Sequence, residues 1–507
     1  MLQRRTLLGQ AGATLTTALL ATGHSWAAPS PARAEGLNPS PFGEHPLLQP
    51  LRGWSDGQDR LAEGLRVQGR WPRELRGTLY RNGPGLLGRG GLRYRHWFDG
   101  DGLVQAWQLG PEALRHTARF VQTRKFSAEQ EAGEFLVPAF GTLVPARRPV
   151  RGSDDMNTAN TSVTVQGGRL YALWEGGSAH ELDPQTLRTL GPKTWAPELR
   201  GMPFSAHPKR EADGTLWNFG TFLGRLALYQ IDAQGRLLRS RVLSLPTAAM
   251  VHDFVVTQRH LVFLLPPLGL DLEAARAGAS MVSAMRWRAD EAMRVVVIDK
   301  ATLELQHTLE APAGLVFHFG NAWDDGQGTI RLDYVQSDMD EFLSGRFNAV
   351  LEGAMAAHGA PSQARFMTLD LRQGRVSIAA RSESTEFPQV DPRVVAQRYR
   401  YVYAPTQRGL ADRWGFNAVQ RLDLERGHTE VFDFGPDTVV EEHLLVPKPG
   451  SRREGEGWLL GTGFDARRQR SFAAVFDAEA LSAGPLATVW LPYWVPLGFH
   501  GHFQRSA

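Results

Sequence analysis

Six segments of the sequence share one pattern: an apolar, strand-like run ends in an Asp, a short turn follows, and a second alternating run begins. The Asp residues of these segments are Asp183, Asp232, Asp299, Asp370, Asp423 and Asp477. Asp suits such a turn because its side chain accepts hydrogen bonds from backbone amides about two residues on. Each segment therefore predicts a β-hairpin, and residues 107–111 form a degenerate seventh copy.

The spacing of the repeat predicts the architecture. Successive Asp residues lie between 49 and 71 residues apart, which is enough for one four-stranded sheet and its loops. We therefore expect an all-β fold, a seven-bladed β-propeller. A pair of β-sandwiches with unrelated but similar hairpins is the alternative. Helical patterning is scarce, with residues 272–276 and 340–343 the best candidates, and we expect loops and short helices to cap one face of the propeller.

The N-terminus has the composition of a targeting segment. Arg4 and Arg5 form a twin-arginine pattern, a small and apolar stretch covers residues 11–21, and small residues suit cleavage near 27–28 or 32–34. We predict a twin-arginine-type signal over residues 1–34, one propeller domain over residues 35–507, and an exported, periplasmic protein. A disordered basic tail is the alternative. Twin-arginine export moves folded proteins, which suits an enzyme that binds its cofactor before secretion.

Charge and cysteine content exclude several classes of function. The formal net charge is +3, and the predicted leader holds three arginines and no acid, so 53 basic and 53 acidic residues remain. Nothing in this balance favours a nucleic-acid partner. The chain has no Cys, which excludes disulfides, thiolate metal sites, iron–sulfur clusters and cysteine nucleophiles. A metal held by the protein must use His, Asp or Glu.

Four of the 15 histidines stand at the edge of apolar or Gly-containing runs: His207, His252, His318 and His500. Singly, such a histidine is more often a hydrogen-bonded core residue than a metal ligand, and their wide spacing matches no short metal motif. On a propeller, however, one histidine from each of four blades would meet at the axis. Neutral imidazoles suit iron, copper, zinc and nickel, so the ligand type alone does not decide the metal.

Nine ordered stretches of the sequence are similar to those of the carotenoid cleavage oxygenase family, for example His252-Asp253-Phe254. The stretches are 81–84, 96–102, 160–161, 173–177, 206–208, 252–254, 317–323, 386–388 and 498–501. The resemblance runs from about residue 77 to the C-terminus. It implies a seven-bladed propeller that holds one Fe(2+) per chain through four histidines, which correspond here to His207, His252, His318 and His500.

The resemblance also implies roles for four further residues. Glu175, Glu386 and Glu442 correspond to glutamates that hold the ligating histidines, although Glu441 stands beside the last of them. Thr161 corresponds to a residue near one vacant iron position. A ligating imidazole needs an acceptor for its second nitrogen, and a buried carboxylate provides one. The alternatives are a salt bridge within a blade for Glu175 and a cap before Pro388 for Glu386.

The implied reaction is that of a dioxygenase. Fe(2+) activates O2, a carbon–carbon double bond is cleaved, and aldehyde or ketone products form. The sequence looks most like the bacterial apocarotenoid branch, whose substrate is an apolar carotenoid or apocarotenoid polyene. The 14 Trp and 25 Phe are enough to line a tunnel. The apolar loops at 135–140 and 264–270 either form a tunnel mouth that contacts a membrane peripherally or pack inside the protein.

Three other functions stay open at this stage. A stilbene dioxygenase of the lignostilbene type would need a Tyr or Lys to hold the phenol hydroxyl, and Lys125 is a candidate. A non-catalytic periplasmic binding module would keep the histidines as structural residues and would bind no iron. A family member acting as an isomerase would consume no O2.

Overall fold

The computed structural model describes residues 36–111, 114–337, 351, 362–409 and 414–506. The predicted signal at 1–34 and the predicted helix at 340–343 lie outside these residues. The strands are β1 (Arg60–Glu63), β2 (Arg66–Gly69), β3 (Gly77–Leu86), β4 (Gly88–Arg89), β5 (Leu92–Arg93), β6 (Asp101–Leu109), β7 (Arg115–Phe120), β8 (Ser162–Gln166), β9 (Arg169–Leu173), β10 (His180–Leu182), β11 (Thr189–Pro192), β12 (Lys209–Arg210), β13 (Leu216–Phe222), β14 (Arg225–Ile231), β15 (Leu237–Ser244), β16 (Val255–Val256), β17 (His260–Leu265), β18 (Leu268–Leu270), β19 (Met285–Trp287), β20 (Met293–Asp299), β21 (Leu305–Ala311), β22 (Leu315–Asp324), β23 (Thr329–Ser337), β24 (Gln363–Asp370), β25 (Arg375–Ser384), β26 (Tyr401–Thr406), β27 (Ala418–Asp423), β28 (His428–Asp433), β29 (Thr438–Pro447), β30 (Gly457–Asp465), β31 (Arg470–Asp477), β32 (Ala487–Trp490) and β33 (His500–Arg505).

The main sheets are the seven blades of a propeller, each antiparallel. From the axis outwards they are blade 1 (β33-β3-β6-β7-β1), blade 2 (β8 to β11), blade 3 (β12 to β15), blade 4 (β16-β17-β20-β21), blade 5 (β22 to β25), blade 6 (β26 to β28) and blade 7 (β29-β30-β31-β32-β2). Two small hairpins, β4–β5 and β18–β19, stand apart from the blades. The predicted all-β, seven-bladed propeller is confirmed.

The two ends of the described chain close the ring. Strand β33 pairs with β3 as the innermost strand of blade 1, from Asn82 opposite His500 to Gly77 opposite Arg505. Strand β2 pairs with β32 as the outermost strand of blade 7. Each end therefore completes the blade built mainly by the other, so that the first and last blades are held side by side.

The Asp turns form as predicted. Asp183 Oδ1 accepts hydrogen bonds from the amides of Gln185 (3.1 Å) and Thr186 (2.7 Å), and Asp299 Oδ1 accepts one from Thr302 (2.7 Å). The other four Asp residues make equivalent bonds to amides two to four residues on. Each Asp precedes strand β11, β15, β21, β25, β28 or β32, and the degenerate copy joins β6 to β7. The Asp turn thus recurs in six of the seven blades.

The core is divided among the interfaces between neighbouring blades. Alternating apolar residues of one blade face those of the next; for example, Val295 and Val297 of β20 pack with Leu332 of β23, and Phe219 of β13 packs with Phe263 of β17. Burying this apolar area contributes roughly 25 cal/mol per Å². Because each interface orients the innermost strands on either side, packing around the ring determines what meets at the axis.

Helices are few in the described chain. Helix α1 (Arg124–Ala132) begins at Thr123, whose hydroxyl accepts from the amide of Phe126, and ends at Gly133 with φ 70°. Helix α2 (Leu272–Arg276) is the helix predicted at these residues, and Asp271 caps it. No helix in the described part of the chain is long and apolar enough to cross a membrane.

Candidate metal centre

The four predicted histidines meet at the propeller axis. His500 opens β33 of blade 1, and His318 lies within β22 of blade 5. His207 and His252 lie two and three residues before the innermost strands of blades 3 and 4. One ligand nitrogen from each lies within 4.8 Å of the other three, and all four side chains are buried. The Nε2 atoms of His207 and His252 are 2.8 Å apart.

Three carboxylates hold three of these imidazoles from behind. His252 Nδ1 lies 2.6 Å from Glu175 Oε2, and His500 Nδ1 lies 2.9 Å from Glu442 Oε1. Glu386 Oε2 makes a short contact with His318 Nδ1. Glu175 belongs to blade 2, Glu386 to the segment that enters blade 6, and Glu442 to blade 7, so every blade supplies one residue. Among the described residues, His207 pairs with no carboxylate.

Three β-bulges, two in β22 and one in β29, direct these side chains. The pairing of β22 with β23 shifts register twice, between Val316 and Phe319 and again between Phe319 and Ala322, so His318 stands at an irregularity. The pairing of β29 with β30 shifts between Val440 and His443. A bulge interrupts the alternation of side chains and redirects them. Extra residues at these places therefore let buried polar groups face the axis.

Burial and neighbouring charges set the protonation of the site. Burial and the nearby His252, His500 and His318 lower the pKa of His207 well below its usual range, and burial lowers that of His500 to about 4. Burial alone would raise the pKa of Glu442, but His500 and Arg81 hold it below its usual value. These two imidazoles are therefore neutral at neutral pH, and the Glu442 carboxylate is ionised.

The arrangement fits a divalent metal ion. With Nδ1 directed at the carboxylates, the opposite nitrogens of His252, His318 and His500 face one another, and the buried Nε2 of His318 has no hydrogen-bond partner among the described residues. Four imidazole nitrogens suit a first-row transition metal. Three carboxylates behind them offset a double positive charge and fix the imidazole tautomers.

Aromatic rings cover the histidines on one side. The ring of Phe317 lies 5.1 Å from that of His252, and the ring of Phe387 lies 5.1 Å from His318 and 5.2 Å from His500. Further out the aromatic set continues with Trp97, Phe98, Phe140, Trp414 and Phe499. We call these seven rings the aromatic wall. It surrounds one side of the histidine cluster with apolar side chains.

Thr161 directly precedes β8, the innermost strand of blade 2, and its hydroxyl donates to Asn160 Oδ1 (3.1 Å). The Asn160 amide donates to the carbonyls of Phe98 (2.8 Å) and Gly100 (2.7 Å), so this segment is tied to the aromatic wall. The role of Thr161 near a vacant metal position stays a prediction.

Lys125 lies in a buried ion cluster. Its ammonium donates to Asp101 (2.7 Å) and to Glu129 (3.0 Å), and Arg89 also pairs with Asp101 (2.8 Å). Two of its three donors are thus committed to carboxylates.

The apolar loops at 135–140 and 264–270 also turn inwards, since Phe135, Val137, Leu264 and Leu268 are all buried. For these four side chains the packing alternative holds.

Three residues near the site had no role in the sequence analysis. Arg81 donates to Glu442 (3.0 Å) and to the carbonyl of Phe499 (3.2 Å), and Gln389 donates to Glu442 (2.8 Å). Asp253 accepts from residues of two other blades. Arg81 and Asp253 stand within stretches that carry the family resemblance, which was the available signal. Gln389 lies just beyond such a stretch.

Both the sequence and the fold are similar to those of known proteins. Residues 55–505 match the family model described as retinal pigment epithelial membrane protein. Apocarotenoid-15,15'-oxygenase of Synechocystis sp. is 32% identical over 466 residues, covering 87% of this chain and 92% of that protein. Lignostilbene-alpha,beta-dioxygenase isozyme III of Sphingomonas paucimobilis is 27% identical, covering 92% and 98%. A crystal structure of cobalt-substituted Synechocystis apocarotenoid oxygenase superposes with a TM-score of 0.80 at 30% identity, covering 91% and 99%.

Proposed function

Because the chain belongs to the retinal pigment epithelial membrane protein family, we propose that it is an iron-dependent dioxygenase that cleaves a carbon–carbon double bond of a carotenoid or apocarotenoid. The observation that carries this proposal is the cluster of four buried histidines with three carboxylates behind them. The 32% identity to an apocarotenoid oxygenase supports the substrate class.

Different residues of the site would have different roles in the reaction. Bound Fe(2+) would supply the activation of O2. One oxygen atom would be added to each carbon of the double bond, and this bond would break to give two carbonyl products. The four imidazoles hold the ion at its correct position, and Glu175, Glu386 and Glu442 fix the tautomers of three of them. The aromatic wall binds an apolar polyene and excludes water. No side-chain nucleophile is needed.

Metal binding is tested on the purified chain. After anaerobic reconstitution with Fe(2+) we expect about one iron per chain, because the four histidines form one cluster in the described part of the chain, and His318→Ala should retain none. A wild-type chain without iron would refute the oxygenase proposal and support a binding module. Retained iron and activity in His318→Ala would refute the ligand assignment.

O2 uptake measured with an apocarotenal as substrate separates a dioxygenase from an isomerase, which consumes no O2.

Substrate class is tested by product analysis. The iron-loaded enzyme is incubated in parallel with an apocarotenal and with a hydroxylated stilbene, and the aldehydes are identified by mass spectrometry. We expect cleavage of the polyene, because the aromatic wall is apolar and Lys125 is already paired with Asp101 and Glu129. Aldehydes from the stilbene alone would instead support the lignostilbene-type alternative, which the relative from Sphingomonas paucimobilis keeps open.

We propose further that the protein is exported to the periplasm through its twin-arginine segment. The supporting observation is the Arg4-Arg5 pair ahead of an apolar stretch. Replacing both arginines with lysine should keep the protein in the cytoplasm, as followed by cell fractionation. Unchanged periplasmic protein in this variant would refute the twin-arginine route.

A further inference from the structure

An ion pair joins two blades directly beside the metal site. The ammonium of Lys209 lies 2.8 Å from Asp253 Oδ1 and 3.0 Å from Asp253 Oδ2. Asp253 is almost completely buried, whereas the Lys209 side chain is 18% exposed. Lys209 follows His207 by two residues in blade 3, and Asp253 directly follows His252 in blade 4.

The same carboxylate reaches a third blade. Asp253 Oδ2 accepts a hydrogen bond from the backbone amide of Phe319 (2.9 Å), the residue after His318 in blade 5. Phe319 sits between the two register shifts of β22, where the regular ladder is interrupted. At the second register shift of β22, Asp333 accepts a hydrogen bond from the backbone amide of Asn321 (3.0 Å). Carboxylates therefore accept hydrogen bonds from backbone amides at both bulges beside His318.

We propose that Asp253, held by Lys209, is a positioning residue that sets the mutual placement of His207, His252 and His318 and thereby the affinity and geometry of the metal site. The inference rests on the proposed metal-binding function. Asp253 directly follows His252 in blade 4 and contacts one residue in each of the two blades that carry His207 and His318. It also explains how His207 is held, since that histidine has no carboxylate of its own in the described structure.

The physical basis is the strength and direction of these contacts. Hydrogen bonds to an ionised carboxylate are roughly twice as strong as neutral ones, and burial of Asp253 strengthens them further. A metal site tolerates little displacement of its ligands, and loss of a group that orients them typically weakens metal binding about 10- to 100-fold. A contact one or two residues from three ligands therefore acts on all three at once.

A matched ion pair distinguishes positioning from general stabilisation. Lys300 of blade 4 donates to Glu211 of blade 3 (2.7 Å) and to the carbonyl of Thr257 (3.0 Å). It is a lysine–carboxylate pair between the same two blades, with a lysine that is also mostly buried. Neither of these hydrogen bonds involves a residue that flanks His252 or His318. Lys300→Met is the control for Lys209→Met.

The experiment uses the full chain and Co²⁺ as the probe. Co²⁺ affinity is measured by competition with a chelator, the Co(II) absorption spectrum reports the ligand geometry, and a urea titration of the metal-free protein reports stability. Asp253→Asn should bind Co²⁺ about tenfold or more weakly with a changed spectrum. Lys209→Met should change both readouts in the same direction, and Lys209→Arg should restore them. Lys300→Met should change only the urea midpoint.

The outcomes separate this inference from the proposed function. If the wild-type chain binds Co²⁺ while Asp253→Asn and Lys209→Met keep its affinity and spectrum, the positioning role is overturned and the metal site stands. If the wild-type chain binds no Co²⁺, both are overturned. Should Asp253→Asn fail to fold, Lys209→Met and its Lys300→Met control still decide, because Lys209 is the partly exposed partner.

Discussion

Glu441 and Glu442 are adjacent, acidic and buried, and Arg81 lies beside both carboxylates, yet their other hydrogen-bond partners differ. Glu442 accepts from His500 and from Arg81, whereas Glu441 accepts from the Thr462 hydroxyl (2.5 Å) and from the amide of Gly498. The register shift between Val440 and His443 lets both side chains lie on the side of Arg81 and the segment that enters β33. In a regular strand, consecutive side chains would point to opposite faces. At the residue scale, function here depends on one irregularity of the backbone.

Exchanging each of these acids for its amide tests the difference. Glu442→Gln should weaken metal binding about 10- to 100-fold, because the amide is a poorer acceptor for His500 and lacks the charge that offsets the metal. Glu441→Gln, its neighbour, should change metal affinity far less. Metal content after dialysis against graded chelator concentrations gives both values. Equal losses in the two variants would contradict the assignment of Glu442.

The ion cluster around Lys125 predicts a large effect on stability. Lys125→Met would leave the buried Arg89 as the remaining cation beside both Asp101 and Glu129, and removing one partner of a buried ion pair costs about 3–5 kcal/mol. Its neighbour Arg124 makes an exposed pair with Asp155 (3.3 Å), so Arg124→Met should cost less than about 1 kcal/mol. Urea denaturation compares the two variants. A small loss for Lys125→Met would show that the carboxylates find other partners.

Sequence reasoning succeeded where a residue stood in a recognisable stretch and failed where its role came from a distant contact. The four histidines, Glu175, Glu386 and Glu442 could be named in advance, and the structure brings each of them to the axis. The bulge in β29, which lets Glu442 rather than Glu441 reach His500, leaves no local signature. The role proposed for Asp253 depends on Lys209 and Phe319, which belong to other blades.

At the scale of elements, the Asp turns show how core packing overrides local backbone preference. Leu187 and Leu303 close two of these turns with positive φ (59° and 56°), and both side chains are buried. A left-handed conformation costs a residue with a side chain roughly 1–2 kcal/mol. Burying a Leu contributes about 2–3 kcal/mol, which exceeds that cost. Leu223, in the turn between β13 and β14, also has positive φ (46°) but is 45% exposed.

The same substitution should therefore have opposite effects at two turns. Leu223→Asn should stabilise the protein by roughly 0.5–1 kcal/mol, because Asn before Gly224 suits a two-residue hairpin turn and no core contact is lost. Leu187→Asn should destabilise it by about 2–4 kcal/mol, since an amide replaces a buried apolar side chain. Thermal or urea unfolding measures both. Two changes of the same sign would contradict the balance proposed here.

Helix α1 shows why one element was not predicted. Its buried side includes Lys125 and Glu129, so the charged residues that normally mark a solvent face point inwards instead. An apolar stripe at helical spacing is therefore absent. The hairpins were predictable because their turn chemistry is local, whereas this helix is held by Asp101, a residue of β6.

At the scale of the whole molecule, the number of blades followed from counting turns, but the closure of the ring did not. Pairing of β33 with β3 and of β2 with β32 joins residues more than 400 positions apart, and no local pattern indicates such partners. His116 lies at this seam, with Nδ1 3.0 Å from the Tyr493 hydroxyl and Nε2 3.3 Å from Gln105 Oε1. Burial lowers the pKa of His116 from 6.5 to about 3.

This seam predicts acid sensitivity. Below pH 6.5 His116 becomes protonated in the unfolded chain, whereas in the folded chain it stays neutral down to about pH 3. The free energy of unfolding therefore decreases progressively as the pH falls through this window. One group accounts for at most about 1.4 kcal/mol per pH unit. His116→Gln should therefore lose stability less steeply between pH 6.5 and 4.5 in urea titrations. An unchanged slope would show that His116 is protonated in the fold.

The strand that closes the ring also carries the last histidine of the metal site. His500 is the first residue of β33, which follows every other strand of the described chain in sequence. Three of the histidines can therefore be in place before β33 is synthesised, but the fourth arrives only with the strand that pairs with β3. Without β33 the chain would lack both this pairing and one of the four histidines. Binding of a metal ion by all four histidines would thus require a closed ring.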